Sequence, residues 1–125
     1  MKTQRQKTGR AGEEEACNYL QALGHNIIDR NWRTSHLETD IVTLDKAGLH
    51  FVEVKTRRAP AQADPAVNVD YNKMQHMVKA AGKYLRDHSR DFPDTEVFFD
   101  VITVVFDNNE TKLEYYPQAF IPTYV

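Results

Sequence analysis

Between Glu38 and Lys55 the chain alternates in steps of two. Glu38, Asp40, Val42 and Leu44 share one face of an extended run, with Thr39, Ile41 and Thr43 on the other. After a break, Phe51, Glu53 and Lys55 alternate with Val52, Val54 and Thr56. Both runs are rich in β-branched residues, and Asp45-Lys46-Ala47-Gly48 between them is turn chemistry closed by glycine. The pattern predicts a β-hairpin. Upstream, Ala16, Leu20 and Leu23, joined by Cys17, form an apolar stripe that predicts a helix from Gly9 to Leu23, with Gly24 as its stop. His25 to Trp32 reads as a strand centred on Ile27 and Ile28, and Asn31 to His36 as a polar connection into the hairpin.

Beyond the hairpin, the two prolines of Ala59 to Pro65 mark a loop. A second helix is predicted from the N-cap Asp70 to His88, with Met74, Met77, Val78, Ala81 and Leu85 as its buried stripe. Glu96 to Phe106 is apolar on both faces, which predicts a central, covered strand. Asp100 interrupts it and calls for a basic partner. Asp107-Asn108-Asn109 turns the chain into a last, edge-like strand, Leu113 to Phe120, bounded by Pro117 and Pro122. The order α-β-β-β-α-β-β describes an α/β fold, a mixed sheet with a helix on each side.

Composition narrows the classes. With 125 residues, 41% hydrophobic and 27% charged, the chain suits one domain with a modest core, expected over 9–125. Met1 to Thr8, carrying Lys2, Arg5 and Lys7 and no acid, is expected to be a flexible basic arm. A net charge of −2 means that any attraction for nucleic acid must be local. Cys17 stands alone, which excludes an intrachain disulfide framework and a cysteine-based zinc site. Nothing approaches the roughly 20 apolar residues of a membrane span, so a cytoplasmic protein without a membrane partner is expected.

The hairpin carries the chemistry. If Leu44 faces Leu49, Asp40 falls opposite Glu53 and Glu38 opposite Lys55. Directly opposed side chains lie about 5 Å apart at Cβ, and two carboxylates held so close take up a proton or bind a cation. Lys55, two residues on along the same face, adds an ammonium that can steer water or a phosphate. Glu–x–Lys on a solvated strand is commonplace, yet both carboxylates here interrupt apolar runs, where unpaired charge is rarely tolerated. Glu13 shares a face with Ala16, Cys17 and Leu20, so it is either a capping group or a third ligand. His76, Lys79, Lys83, Arg86 and Arg90 recur at three- and four-residue steps on the second helix, either as a plain solvated face or as a phosphate-contacting one. Trp32 is expected in the core.

These residues carry a resemblance. Gly9-Arg10-Ala11-Gly12-Glu13, Asn31-Trp32-Arg33, Glu38-Thr39-Asp40-Ile41-Val42 and Phe51-Val52-Glu53-Val54-Lys55-Thr56-Arg57 resemble the motifs of the YraN-like family of small bacterial proteins. That family is a branch of the restriction-endonuclease-like PD-(D/E)xK nucleases. Lys73, Tyr84-Leu85 and Phe99-Asp100-Val101 also align; Leu37, Thr39 and Phe98 depart from the family pattern. The resemblance implies a restriction-endonuclease-like mixed sheet, and by similarity to archaeal Holliday-junction resolvases it moves Glu13 towards catalysis. It implies Mg²⁺ or Mn²⁺ on Asp40, Glu53 and Glu13, with Lys55 at the attacking water. Arg57, Arg58, Lys73, Lys79, Lys83 and Arg86 would hold a nucleic acid, DNA in first place. Resolvase-like action would need a homodimer. A nucleic-acid-binding protein that keeps the pocket without turnover fits the same residues.

Overall fold

The first helix starts earlier than its apolar stripe. Thr3 Oγ1 accepts the Gln6 amide at 3.1 Å and Gln6 Oε1 accepts the Thr3 amide at 2.9 Å, a capping box that satisfies two end groups at once. Helix α1 therefore spans Gln4–Ala22 in the computed structural model, which describes residues 3–59 and 70–122. The stretch from Gln4 to Thr8, expected as part of a flexible arm, opens a helix instead, because the Thr3–Gln6 cap outweighs its lack of apolar residues. The proline-containing loop expected after Ala59 falls, from Pro60 on, outside the described residues.

Five strands follow: β1 (Asn26–Thr34), β2 (Leu37–Leu44), β3 (Leu49–Ala59), then helix α2 (Tyr71–Asp87), β4 (Val97–Asp107) and β5 (Glu110–Tyr116). They form one sheet in the order β1-β2-β3-β4-β5, antiparallel throughout except for the parallel β3–β4 pair across which α2 makes the connection. The α/β class and the element order are those expected. β1 continues through Asn31-Trp32-Arg33, where a polar connection was expected. Asn31 and Ser35 adopt positive φ, which asparagine tolerates, and the turn falls at Ser35 and His36. β4 is the covered central strand, and β5 begins at once after a two-residue turn at Asn108 and Asn109, because Asn108 supplies the positive φ of a tight hairpin.

Alternation along the strands divides the core between two layers. Ile41, Val52, Ile102 and Val104 pack under Ala16, Cys17 and Leu20 of α1. Val42, Leu49, Phe51 and Phe99 pack under Met77, Ala81 and Tyr84 of α2, with Trp32 edge-on to Tyr84 at 5.4 Å between ring centroids. The α1 layer has a point of closest approach. A Cβ at Gly12 would lie 2.0 Å from Thr56 Oγ1 and 2.9 Å from Thr56 Cβ, so only glycine lets the helix rest on β3 here. Gly12→Ala is expected to destabilise the protein by about 1–3 kcal/mol. Denaturant unfolding checks this: an unchanged midpoint would mean that α1 can lift off Thr56 freely.

Candidate active site

The β2–β3 ladder runs from Leu44–Leu49 to Ile41–Val52 and stops there. The same register carries Asp40 to the level of Glu53, as the Leu44–Leu49 pairing predicts. The Val54 N–H, past the last paired residues, donates to Asp40 Oδ2 at 2.9 Å, so a side chain of β2 holds β3 where its backbone no longer does. Beside this point lies a cleft of about 540 Å³ lined by Glu13, Asp40 and Glu53, with Arg5, Arg57 and Arg58 among its other walls.

The electrostatics identify a strained carboxylate pair. Burial, and then the charge of Glu53, push the Asp40 carboxyl up to about 7, against the Val54 amide and Lys73, which favour its ionised form. Glu13 enters from α1, one residue after the Gly12 contact. Its carboxyl is raised by burial and then by Asp40, while Asn31, a positive-φ residue within β1, hydrogen-bonds it and pulls the other way. Glu13, expected as either cap or ligand, sits in the cleft; the cap belongs to Thr3. Burial and mutual repulsion thus disfavour the charged forms of Asp40 and Glu13, a cost that a cation would relieve.

The predicted residues are not all brought together. Glu53 lies against Lys73 of α2, Nζ to Oε1 at 2.9 Å, so Lys73 serves a carboxylate of the pair where a phosphate contact was expected. Lys55 is half-buried two residues along β3 on the Glu53 side. Glu38 pairs with Arg33 on β1, 3.2 Å away. Arg57 and Arg58 are exposed, and Arg58 donates to Thr8 Oγ1 of α1 at 3.1 Å. A smaller depression that Glu13 also lines carries Arg10, Asn31 and Arg33. Lys79, Lys83 and Arg86 lie farther along α2, Arg86 about 20 Å beyond Lys73 along the axis, and Lys83 is paired with Asp87 at 2.8 Å.

Against this geometry the comparisons can be set. The uncharacterised protein family UPF0102 matches residues 12–104. The chain belongs to that family. Its relatives include a UPF0102 protein of Bacteroides thetaiotaomicron, 40% identical over 114 residues that cover 91% of this chain and 92% of the relative. One from Syntrophotalea carbinolica is 41% identical over 120 residues, 96% of each chain. The family membership expected from the Asp40 and Glu53 motifs holds. Among solved structures, a Holliday junction resolvase of Archaeoglobus fulgidus is similar over 87% of this chain and 76% of its own, at a TM-score of 0.49 and 14% identity.

A second polar cluster went unrecognised in the sequence. Asp100, for which a basic partner was expected, accepts from or shares a proton with His50 Nδ1 at 2.7 Å, and also takes the Tyr115 hydroxyl at 2.6 Å and the Gln118 amide at 2.9 Å. His50 Nε2 is 2.8 Å from Asp45, and His25 Nε2 is 3.3 Å from the same carboxylate. Burial disfavours charge on both imidazoles. On His50 the hydrogen bonds to Asp100 and Asp45 outweigh it and its pKa is raised; on His25 burial, with His50 adding to it, wins and the pKa is lowered. The available signal was a histidine on the covered side of a hairpin strand, which needs a partner as much as Asp100 does.

Proposed function

We propose that the protein is a metal-dependent phosphodiesterase acting on nucleic acid, with DNA as its substrate. The observation that carries this reading is the Asp40–Glu53 pair, half-buried, mutually repelling and set in a cleft whose outer residues are arginines. An all-oxygen donor set with surplus negative charge fits a hard divalent ion. Asp40 and Glu53, with Glu13 behind them, would hold Mg²⁺ or Mn²⁺, which when bound supplies Lewis acidity and a more acidic water. The remaining work falls to the chain itself. Arg57 and Arg58 pair with phosphate oxygens on the outer side of the cleft and fix the scissile group. The Lys55 ammonium orients the attacking water and offsets the charge that grows on the phosphoryl oxygens. The water oxygen forms the new P–O bond, one ester P–O bond breaks, and the water's proton leaves with the departing alkoxide.

A binding module without turnover is the second reading, and one contact favours it: Lys73 already neutralises Glu53 from within the protein. Labelled linear and branched DNAs incubated with Mg²⁺ or Mn²⁺, beside Glu53→Ala, separate the two. Cleavage by the wild type alone supports the enzyme; tight binding with no cleavage of any substrate supports the module.

The basic residues farther along α2 give a further prediction. Lys79→Ala/Lys83→Ala/Arg86→Ala is expected to leave the fold intact, weaken DNA binding and flatten its dependence on salt by up to about three units of logarithmic slope, as fewer counterions are released. An unchanged slope in a salt titration would assign this face to solvation.

A further inference from the structure

We propose that His25, Asp45 and His50 form a second metal site, for one borderline transition ion of the Zn²⁺ class, separate from the cleft. His25 follows directly on the Gly24 that ends the first helical segment, Asp45 sits in the β2–β3 turn and His50 is on β3. The site lies on the α1 face of the sheet, the face of Val52, whereas Glu53 points with Phe51 to the α2 face, and His50 and Glu53 are about 10 Å apart along the strand.

The donor set and its supports both point to a metal. Two imidazoles and one carboxylate suit Zn²⁺, Co²⁺ or Ni²⁺ over Mg²⁺. One ligand atom from each of the three residues lies within 4.8 Å of the other two. Metal–ligand bonds of about 2.0–2.2 Å in a tetrahedron need donor atoms roughly 3.4 Å apart, so rotamer adjustment alone closes the set. Each histidine is oriented through its other nitrogen: His25 Nδ1 meets Thr43 Oγ1 at 2.6 Å, and His50 Nδ1 meets Asp100 Oδ2 at 2.7 Å. That leaves both Nε2 atoms turned to Asp45, in the carboxylate–histidine arrangement found behind zinc ligands. Asp45 is fixed as well, since its Oδ1 accepts the Ala47 and Gly48 amides at 2.9 and 3.1 Å while Oδ2 faces His25. Both histidines are buried, and Asp45, the most exposed of the three, leaves a side for a water as fourth ligand. An ion here would clasp the end of α1, the hairpin turn and β3 together.

The test uses the full chain, stripped with chelator and held in excess Mg²⁺ so that the oxygen-lined cleft is saturated. Co²⁺ is then added as a spectroscopic probe, displaced by Zn²⁺, with thermal melting in parallel. One equivalent of Co²⁺ with the intense visible bands of tetrahedral coordination, bleached by Zn²⁺ and accompanied by a higher Tm, is expected. Asp45→Asn, which keeps the turn's acceptor, and His25→Gln should each abolish the bands, and Glu53→Gln should keep them. Thr43→Val retains all three ligands and frees only the His25 ring, so it should weaken Zn²⁺ binding about tenfold; this variant decides the matter if the other two fail to fold. A wild type that takes up no Co²⁺ beyond Mg²⁺ competition, or an affinity unmoved by Thr43→Val and lost in Glu53→Gln, would overturn the proposal and leave the cluster a hydrogen-bonded network.

Discussion

Glu53→Gln is expected to lower DNA cleavage by roughly 10³-fold or more, as the loss of one metal ligand removes several kcal/mol of transition-state stabilisation. The same variant should lose the rise in Tm that millimolar Mg²⁺ or Mn²⁺ is expected to give the wild type, since on the proposed reading the ion binds the folded state through this pair. Its metal-free stability reflects two opposed changes. Repulsion with Asp40 is relieved, while Lys73 loses the carboxylate it touches at 2.9 Å. The two offset, so the metal-free melting temperature should move little. Lys55→Ala keeps both carboxylates. Metal stabilisation and DNA binding should largely survive in it, while cleavage should fall by about 10²-fold or more with the loss of the cation proposed to orient the water. A Glu53→Gln protein that still gains stability from Mg²⁺ would move the metal away from this pair.

The second large effect is on stability against pH, in metal-free buffer. The Asp40 carboxyl lies at about 7 in the folded protein, against 3.8 as its ordinary value, through burial first and Glu53 second. The folded state therefore holds a proton that the unfolded chain has released. Stability must then fall as pH rises, beginning near the ordinary value and continuing until the pH passes the folded one. The total, on the order of a few kcal/mol, is largest above pH 7. The raised pKa of His50 adds a loss of stability as pH climbs, and the lowered one of His25 adds a loss as pH drops. Comparison with Asp40→Asn removes both contributions, since the histidines are common to the two proteins and asparagine can still accept the Val54 N–H. The gap between their unfolding free energies should be smallest at pH 5 and widen towards pH 8, the variant being the more stable. Parallel curves would show that the Asp40 carboxyl is not raised in the folded protein.

Much of this arrangement was legible because it is local. The Asp45-Lys46-Ala47-Gly48 turn sets the hairpin register, the register sets Asp40 opposite Glu53, and a period of two shows that Lys55 shares that face. Glu13 was legible only as two alternatives, since helical spacing shows which stripe it occupies but not where α1 crosses the sheet; Gly12 against Thr56 decides that. Lys73 and the histidine cluster depend on contacts between distant segments. Nothing in the spacing of α2 shows that its first turn reaches β3, and His50 and Asp100 meet only because β3 and β4 run parallel with His50 two positions out of step, on the same face. The start of α1 was missed for a different reason: apolar periodicity is silent where a helix is held by its cap.

The single parallel pair in the sheet also orders events during folding. β1, β2 and β3 are joined by tight turns and can zip together on microsecond timescales, placing Asp40 beside Glu53 through contacts 13 residues apart in sequence. β4 can join only after the chain between Ala59 and Val97, α2 included, has closed its loop, and that entropy must be met before any β3–β4 contact repays it. The repelling carboxylates are thus assembled early, on a meander still bare on its α2 side, while Lys73 and the Asp100 network arrive with the slow crossover. A divalent ion present from the start would act on the first of these stages, favouring the meander before the rest of the sheet exists.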